Sequence, residues 1–189
     1  MFATITIVVV TLLAAVLAFA ATKPNSFRVE RATRIEASAQ TIFPLIDNFR
    51  SWGLWSPYEK LDPMMKRTYS GRATGRGTVY EWKGNNKAGQ GRMEITESHP
   101  PSKITIKLDF VKPFEGHNTA EFTLVAGGDS TNVTWAMYGS DPYIAKVVTL
   151  FFNRDRMVGA QFETGLANLK AFAEKQVTHT TSGIARGDG

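Results

Sequence analysis

The chain is 189 residues long, with 22 Lys and Arg against 17 Asp and Glu for a net charge of +5, and it is 43% hydrophobic. That size suits one domain with appendages, and the apolar share is enough for a core, which excludes wholesale disorder. With no cysteine there is no disulfide, thiol nucleophile or cysteine metal site, and three histidines (His99, His117, His179) leave little for another kind, so no cofactor or metal is expected.

Every charged side chain lies after Thr22, and Ile5 to Ala21 is almost continuously apolar. Residues 1–22 therefore read as a membrane anchor, since about 20 such residues in a helix cross roughly 30 Å of hydrocarbon. The hydroxyls of Thr4, Thr6 and Thr11 bond back to helix carbonyls and do not prevent insertion. A cleaved signal peptide is the rival reading, because Ala18-Phe19-Ala20 has the A-x-A form. The lack of Lys or Arg before the apolar run, and the length of that run, favour the anchor. Lys23, Arg28, Arg31 and Arg34 follow the span, which predicts a single pass with the soluble domain in the cytoplasm; cleavage would instead export it. The same cluster reads as lying against anionic lipid head groups.

Residues 23–26 form a linker, residues 27–177 a globular domain, and residues 178–189 a small, polar, Gly-rich tail. Phe27 to Glu36 makes a first strand. Ser38 then caps a short helix through Ile42, Phe43, Leu45 and Ile46, kinked or cut short by Pro44. Lys66 to Gly71 is a weaker strand. Strict alternation follows at Thr78-Tyr80-Trp82, Met93-Ile95, Ile104-Ile106-Leu108-Phe110, Ala120-Phe122-Leu124 and Val133-Trp135-Met137. Period two with one polar face predicts an antiparallel sheet covered on its other side. The breaks carry turn chemistry at residues 84–89, 99–101 and 127–129. Asp141 as cap and Pro142 at the first position predict one long last helix, with the stripe Val147, Phe151, Val158, Phe162, Leu166, Leu169 and Phe172 laid on the sheet.

Several segments carry a resemblance: Trp52-Gly53-Leu54-Trp55-Ser56-Pro57-Tyr58 with Asp62-Pro63, Tyr80-Glu81-Trp82-Lys83-Gly84-Asn85, Gly89-Gln90-Gly91-Arg92-Met93, Val133-Thr134-Trp135 and Phe162-Glu163-Thr164-Gly165-Leu166. With the element order, these make Phe27 to Gln176 resemble the polyketide cyclase/dehydrase-like branch of the START-like (SRPBCC) superfamily. The resemblance implies an α+β helix-grip fold: a curved antiparallel sheet of about seven strands around a long C-terminal helix, with a hydrophobic ligand cavity between them. It does not by itself imply cyclase chemistry.

The inward aromatic and methionine residues read first as core, and Phe151 belongs with them. The candidate ligand-binding set is Trp52, Trp55, Tyr80, Trp82, Met93, Phe110, Phe122, Trp135, Met137, Met157, Gly159 and Phe162. Gly159 and Gly165 sit on or beside the last helix's apolar stripe, where glycine costs about 1 kcal/mol against alanine. Either they leave room for a ligand, the expectation at Gly159, or they allow close helix–sheet packing. Trp52, Trp55 and Tyr58 either plug one end of the cavity or gate it, offering an indole N–H to a ligand. Asn85 reads as a turn residue, and His99 and His117 as surface loop residues. Arg31 and Glu97 are the polar residues in phase with inward positions. No G-x-S-x-G, H-E-x-x-H, Walker A or G-x-G-x-x-G motif is present. Interleaved charges give no single-sign groove for nucleic acid. The leading expectation is a membrane-tethered binder of a hydrophobic small molecule or lipid, without catalytic residues. The rivals are a polyketide cyclase/aromatase-type enzyme and a protein-interaction module of the chaperone-regulator kind.

Overall fold

The computed structural model describes residues 2–184, with side chains through residue 178. Helix α1, Phe2–Ala21, has 20 residues and is long and apolar enough to cross a membrane. Thr6 and Thr11 donate to the carbonyls of Phe2 and Ile7 at 3.0 and 2.9 Å, so their hydroxyls are satisfied within the helix.

Strand β1, Ser26–Ile35, leads into α2, Ala39–Asp47, where the Ser38 hydroxyl accepts from the Thr41 N–H and Pro44 lies inside a helix of only 9 residues. Two short 3₁₀ turns follow, Phe49–Leu54 and Pro57–Lys60, where sequence alone reads as loop. Strands β2 (Lys66–Gly71), β3 (Thr78–Lys83), β4 (Gln90–His99), β5 (Lys103–Lys112), β6 (Gly116–Gly127) and β7 (Ser130–Ser140) complete a 7-stranded sheet. Its order is β1-β7-β6-β5-β4-β3-β2, antiparallel throughout. The β4–β5 pairing is irregular at two places, with Val111 the extra residue on β5 opposite Gln90/Gly91 and Thr96 the extra residue on β4 between Ile95 and Glu97, and such extra residues bend a strand.

The last helical region departs from the expected single helix. A short α3, Tyr143–Thr149, is separated from α4, Arg154–Ile184. Asn153 causes the break: its side chain accepts the Arg156 N–H at 2.8 Å, the bond of a helix cap. Pro142, not Asp141, stands at the cap of α3, and Asp141 instead holds Arg154 at 2.7 Å. Phe151 therefore falls in the interruption and is 71% exposed, not inward. Helix α4 lies mainly over β1 and buries Phe162, Leu166, Leu169 and Ala173. It runs past Thr178, where composition predicts a tail; the end of that predicted tail, residues 185–189, lies outside the described residues.

The end of α1 and α3 are fastened together. Buried Lys146 donates from Nζ to the Lys23 carbonyl at 2.8 Å and to Asn25 Oδ1 at 2.6 Å, and the Tyr143 hydroxyl donates to the Leu17 carbonyl at 2.8 Å. Strand β1 then leads away from α1. At about 3.3 Å per residue, Arg34 is roughly 26 Å along the strand from Ser26. Arg34 pairs with Glu36 and Arg31 turns to α4, so both guanidinium groups are engaged within the domain.

Candidate functional site

Alternation along the strands turns one residue in two toward α4, and cross-strand pairing sets those residues side by side. Tyr80 is paired with Met93, Met93 with Leu108, and Ala120 with Met137. Trp82, Phe110 and Trp135 extend the same wall; α4 adds Val158 and Phe162, and the 3₁₀ turns add Trp52, Tyr58 and Glu59. These side chains enclose a cavity of about 190 Å³. An engineered apolar cavity of about 150 Å³ stays dry and takes benzene, so this space admits a ring or a stretch of chain. It is smaller than the ~300–1,000 Å³ of sites that swallow a drug-sized ligand.

The structure brings Trp52, Tyr80, Trp82, Met93, Phe110, Trp135, Met137 and Phe162 of the candidate set to this wall. It sets the other four elsewhere. Trp55 and Phe122 are fully buried behind it, and Met157 is 61% exposed on the outer side of α4, one residue from the inward Val158. Gly159 does not border the space: a Cβ there would collide with the Arg31 guanidinium, which passes under the helix. A Cβ at Gly165 would come 2.7 Å from Trp135 Cζ3 and 3.1 Å from Pro57 Cδ. Both glycines therefore serve close approach rather than an opening. The gate reading of the tryptophans is corrected likewise. Trp52 and Trp55 donate their indole N–H groups to the Ile46 and Leu45 carbonyls, each at 2.9 Å, satisfying the end of α2.

Trp135 is the hub of the aromatic cluster. It stacks on Phe162 at 4.1 Å between centroids with 12° between planes, and on Phe122 at 5.0 Å and 26°. Its Nε1 is buried without a hydrogen-bond partner among the described residues. Of the described lining residues only Glu59 is charged. It is committed, accepting from the Tyr80 hydroxyl at 2.6 Å and from Arg67 Nε at 2.6 Å. Burial first, and the carboxylate second, push the Tyr80 phenol well above its usual range, while burial alone does so at Tyr58; both remain neutral O–H groups.

The remaining candidates have local duties. Arg31 pairs with Asp155 at 2.9 Å and Glu163 at 2.6 Å, which holds the Asp155 carboxyl below its ordinary value. Glu97 accepts from Thr105, and His117 lies on Asp109. Asn85 accepts from the backbone of Lys87 and Ala88, a turn function. Leu61, Met65, Ala88, Leu108 and Ala120 also line the cavity. Among them Leu108 and Ala120 keep the strand phase that marks Phe110 and Phe122 as inward.

Burial along the wall shows where the cavity opens. Trp52, Ala120, Trp135 and Phe162 are buried, whereas Leu61, Ala88, Phe110 and Val158 are part-exposed. The second group sits where β3 and β5 end and α4 begins, the end of the sheet at which β1 starts next to α1.

Residues 26–174 match the family model described as polyketide cyclase / dehydrase and lipid transport. No protein with a curated description matches the chain significantly in sequence. Solved structures share the fold at low identity. The di-domain ARO/CYC StfQ from the steffimycin biosynthetic pathway has a TM-score of 0.60 and 12% identity, covering 81% of this chain and 52% of that one. The Aha1 dimer from Colwellia psychrerythraea gives 0.53 and 15%, covering 78% and 96%. Ginseng major latex-like protein 151 from Panax ginseng gives 0.54 and 11%, covering 79% and 99%. The family match bears out the START-like reading of the sequence, and the solved structures bear out its helix-grip fold.

Proposed function

The chain belongs to the polyketide cyclase/dehydrase and lipid transport family, and from that footing we propose that it is a membrane-tethered binder of a neutral hydrophobic small molecule or lipid. The observation that carries this is the cavity: apolar side chains on nearly every side, and a lone carboxylate already occupied by Arg67 and Tyr80. The described lining residues include no cation to receive an anionic ligand head. The unpartnered Trp135 N–H suits a single carbonyl or hydroxyl oxygen. A ligand larger than the cavity buries its apolar end and leaves the rest in the mouth. General acid–base work is disfavoured because both Glu59 carboxylate oxygens are already engaged, one by Arg67 and the other by Tyr80.

The tether makes sense of the ligand class. A water-insoluble molecule partitions into the bilayer, and α1 keeps the mouth next to that reservoir. Lys23, immediately after α1, and the arginines that follow it favour a cytoplasmic domain. Full-length protein is expected to stay with membranes through high-salt and alkaline washing; recovery of a soluble form beginning near Ala21 would establish cleavage instead.

Filling the cavity tests the binding. Ala120 is buried in the wall, so Ala120→Leu adds three carbons to the space without exposing anything. Native mass spectrometry of detergent-extracted protein should show a copurifying apolar molecule in the wild type and not in the variant. Uptake of an apolar fluorescent probe should fall at least tenfold with the melting temperature unchanged or raised. Equal uptake by both proteins sinks the proposal.

A further inference from the structure

Outside α1, large exposed apolar side chains gather at one end of the domain. Ile144, Phe151, Phe152 and Phe114 are 77, 71, 58 and 80% exposed, and Met64 and Met157 are 89 and 61% exposed. They come from four separate places in the chain: the segment before β2, the β5–β6 turn, the α3 region and the first turn of α4. The topology sets all of these at the sheet end where β1 begins and β7 finishes, beside α1. Exposed Lys66, Lys83, Lys87 and Lys112 lie at the same end.

We infer that this end of the domain is a second membrane contact, its apolar side chains inserted into the surface of the bilayer that α1 crosses. The inference rests on the membrane reading of α1 proposed above. The occupant is a lipid surface because the patch is continuous with the spanning helix. Tyr143 of α3 bonds to the carbonyl of Leu17, four residues inside the end of α1, a depth of about 6 Å along the helix axis. That depth is the interfacial zone in which tyrosine is enriched. Lys146 holds α3 to the Lys23 carbonyl and to Asn25, so α3 cannot leave the level at which α1 emerges. Wherever α1 spans, Ile144 and Phe152 lie at the head groups, and the surrounding lysines suit anionic lipid. Because the cavity mouth is at the same end, insertion sets the mouth on the bilayer rather than in water.

The absence of native cysteine permits a direct test on the full chain. Single variants Ile144→Cys, Phe152→Cys and Phe114→Cys, with Leu12→Cys inside α1 and Val125→Cys at the opposite end of the sheet, are labelled with one environment-sensitive dye. They are reconstituted into vesicles of phosphatidylcholine and phosphatidylglycerol. Dyes at 144, 152 and 114 should shift to the blue, be quenched at least twofold by brominated lipid and resist iodide. The dye at 125 should show the reverse. Iodide quenching at 144 and 152 equal to that at 125, with Leu12 still in lipid, overturns this contact, leaves the anchor standing and returns the patch to a protein partner. A water-exposed dye at Leu12 overturns both. Probe uptake by the Ala120→Leu variant reads the ligand proposal separately.

Discussion

Trp135→Ala is expected to cost about 3–5 kcal/mol of stability, the largest loss from any single truncation in the wall. At roughly 2–4 °C per kcal/mol for a domain of this size, calorimetry or thermal circular dichroism should show a fall of order 10 °C. The indole is buried and touches both sides of the fold, stacking on Phe162 of α4 and on Phe122 of β6, with the Trp52, Trp55 and Tyr58 rings around it. Removing it deletes those contacts and merges its volume with the cavity, so the helix loses its main grip on the sheet. Trp135→Phe separates the ring from the N–H. It keeps the stacking and removes a buried donor that lacks a partner, so its cost should be smaller, about 1–2 kcal/mol. If a ligand oxygen accepts from Nε1, this variant should weaken a carbonyl-bearing ligand five- to tenfold and leave a pure hydrocarbon probe unaffected. Equal effects on the two would remove Nε1 from the binding account.

The strands were legible because their signal is local. Ile104, Ile106 and Leu108 alternate with lysine and threonine, and burial in β5 follows that alternation through Leu108. Ser38 likewise carried its own evidence, a capping side chain ahead of an apolar run. The break before α4 was obscured because Val147-Val148-Thr149-Leu150-Phe151-Phe152 continues a helical apolar spacing and no proline interrupts it. Asn153 followed by Asp155 is a helix-start signal, and it outweighs that spacing once Arg154 is drawn to Asp141. Met157 and Val158 show the limit of a stripe: they are neighbours about 100° apart on the helix, and tertiary packing alone decides which faces the cavity. The partners of the Trp52 and Trp55 N–H groups, six and ten residues back, depend on where α2 comes to lie. The partners of Arg31 are 124 and 132 residues away, beyond any reading of local pattern.

That distant Arg31 contact decides how the two glycines of α4 should differ. At Gly159 the obstacle is the end of a flexible side chain. Gly159→Ala must displace the guanidinium from Asp155 and Glu163, whose side chains are each 62% exposed. Exposed pairs of this kind contribute little to stability, and alanine recovers about 1 kcal/mol of helix propensity. The two effects nearly cancel, so stability should stay within about 1 kcal/mol of wild type. Apolar probe uptake should not change, because no wall of the cavity moves. At Gly165 the obstacles are the Trp135 ring, held in its stack, and the ring of buried Pro57; neither has a free rotamer to retreat into. Gly165→Ala should already be destabilising, and Gly165→Leu should cost about 3 kcal/mol or more, the upper part of the range for overpacked cores. Leucine there must also push Trp135 toward the cavity, so probe uptake should fall together with the melting temperature. The measurement is the pair of curves, thermal unfolding and probe titration, for all three variants. A Gly159→Ala protein as damaged as Gly165→Ala would mean that the Arg31 clasp, and not the Trp135 stack, carries the attachment of α4 to the sheet.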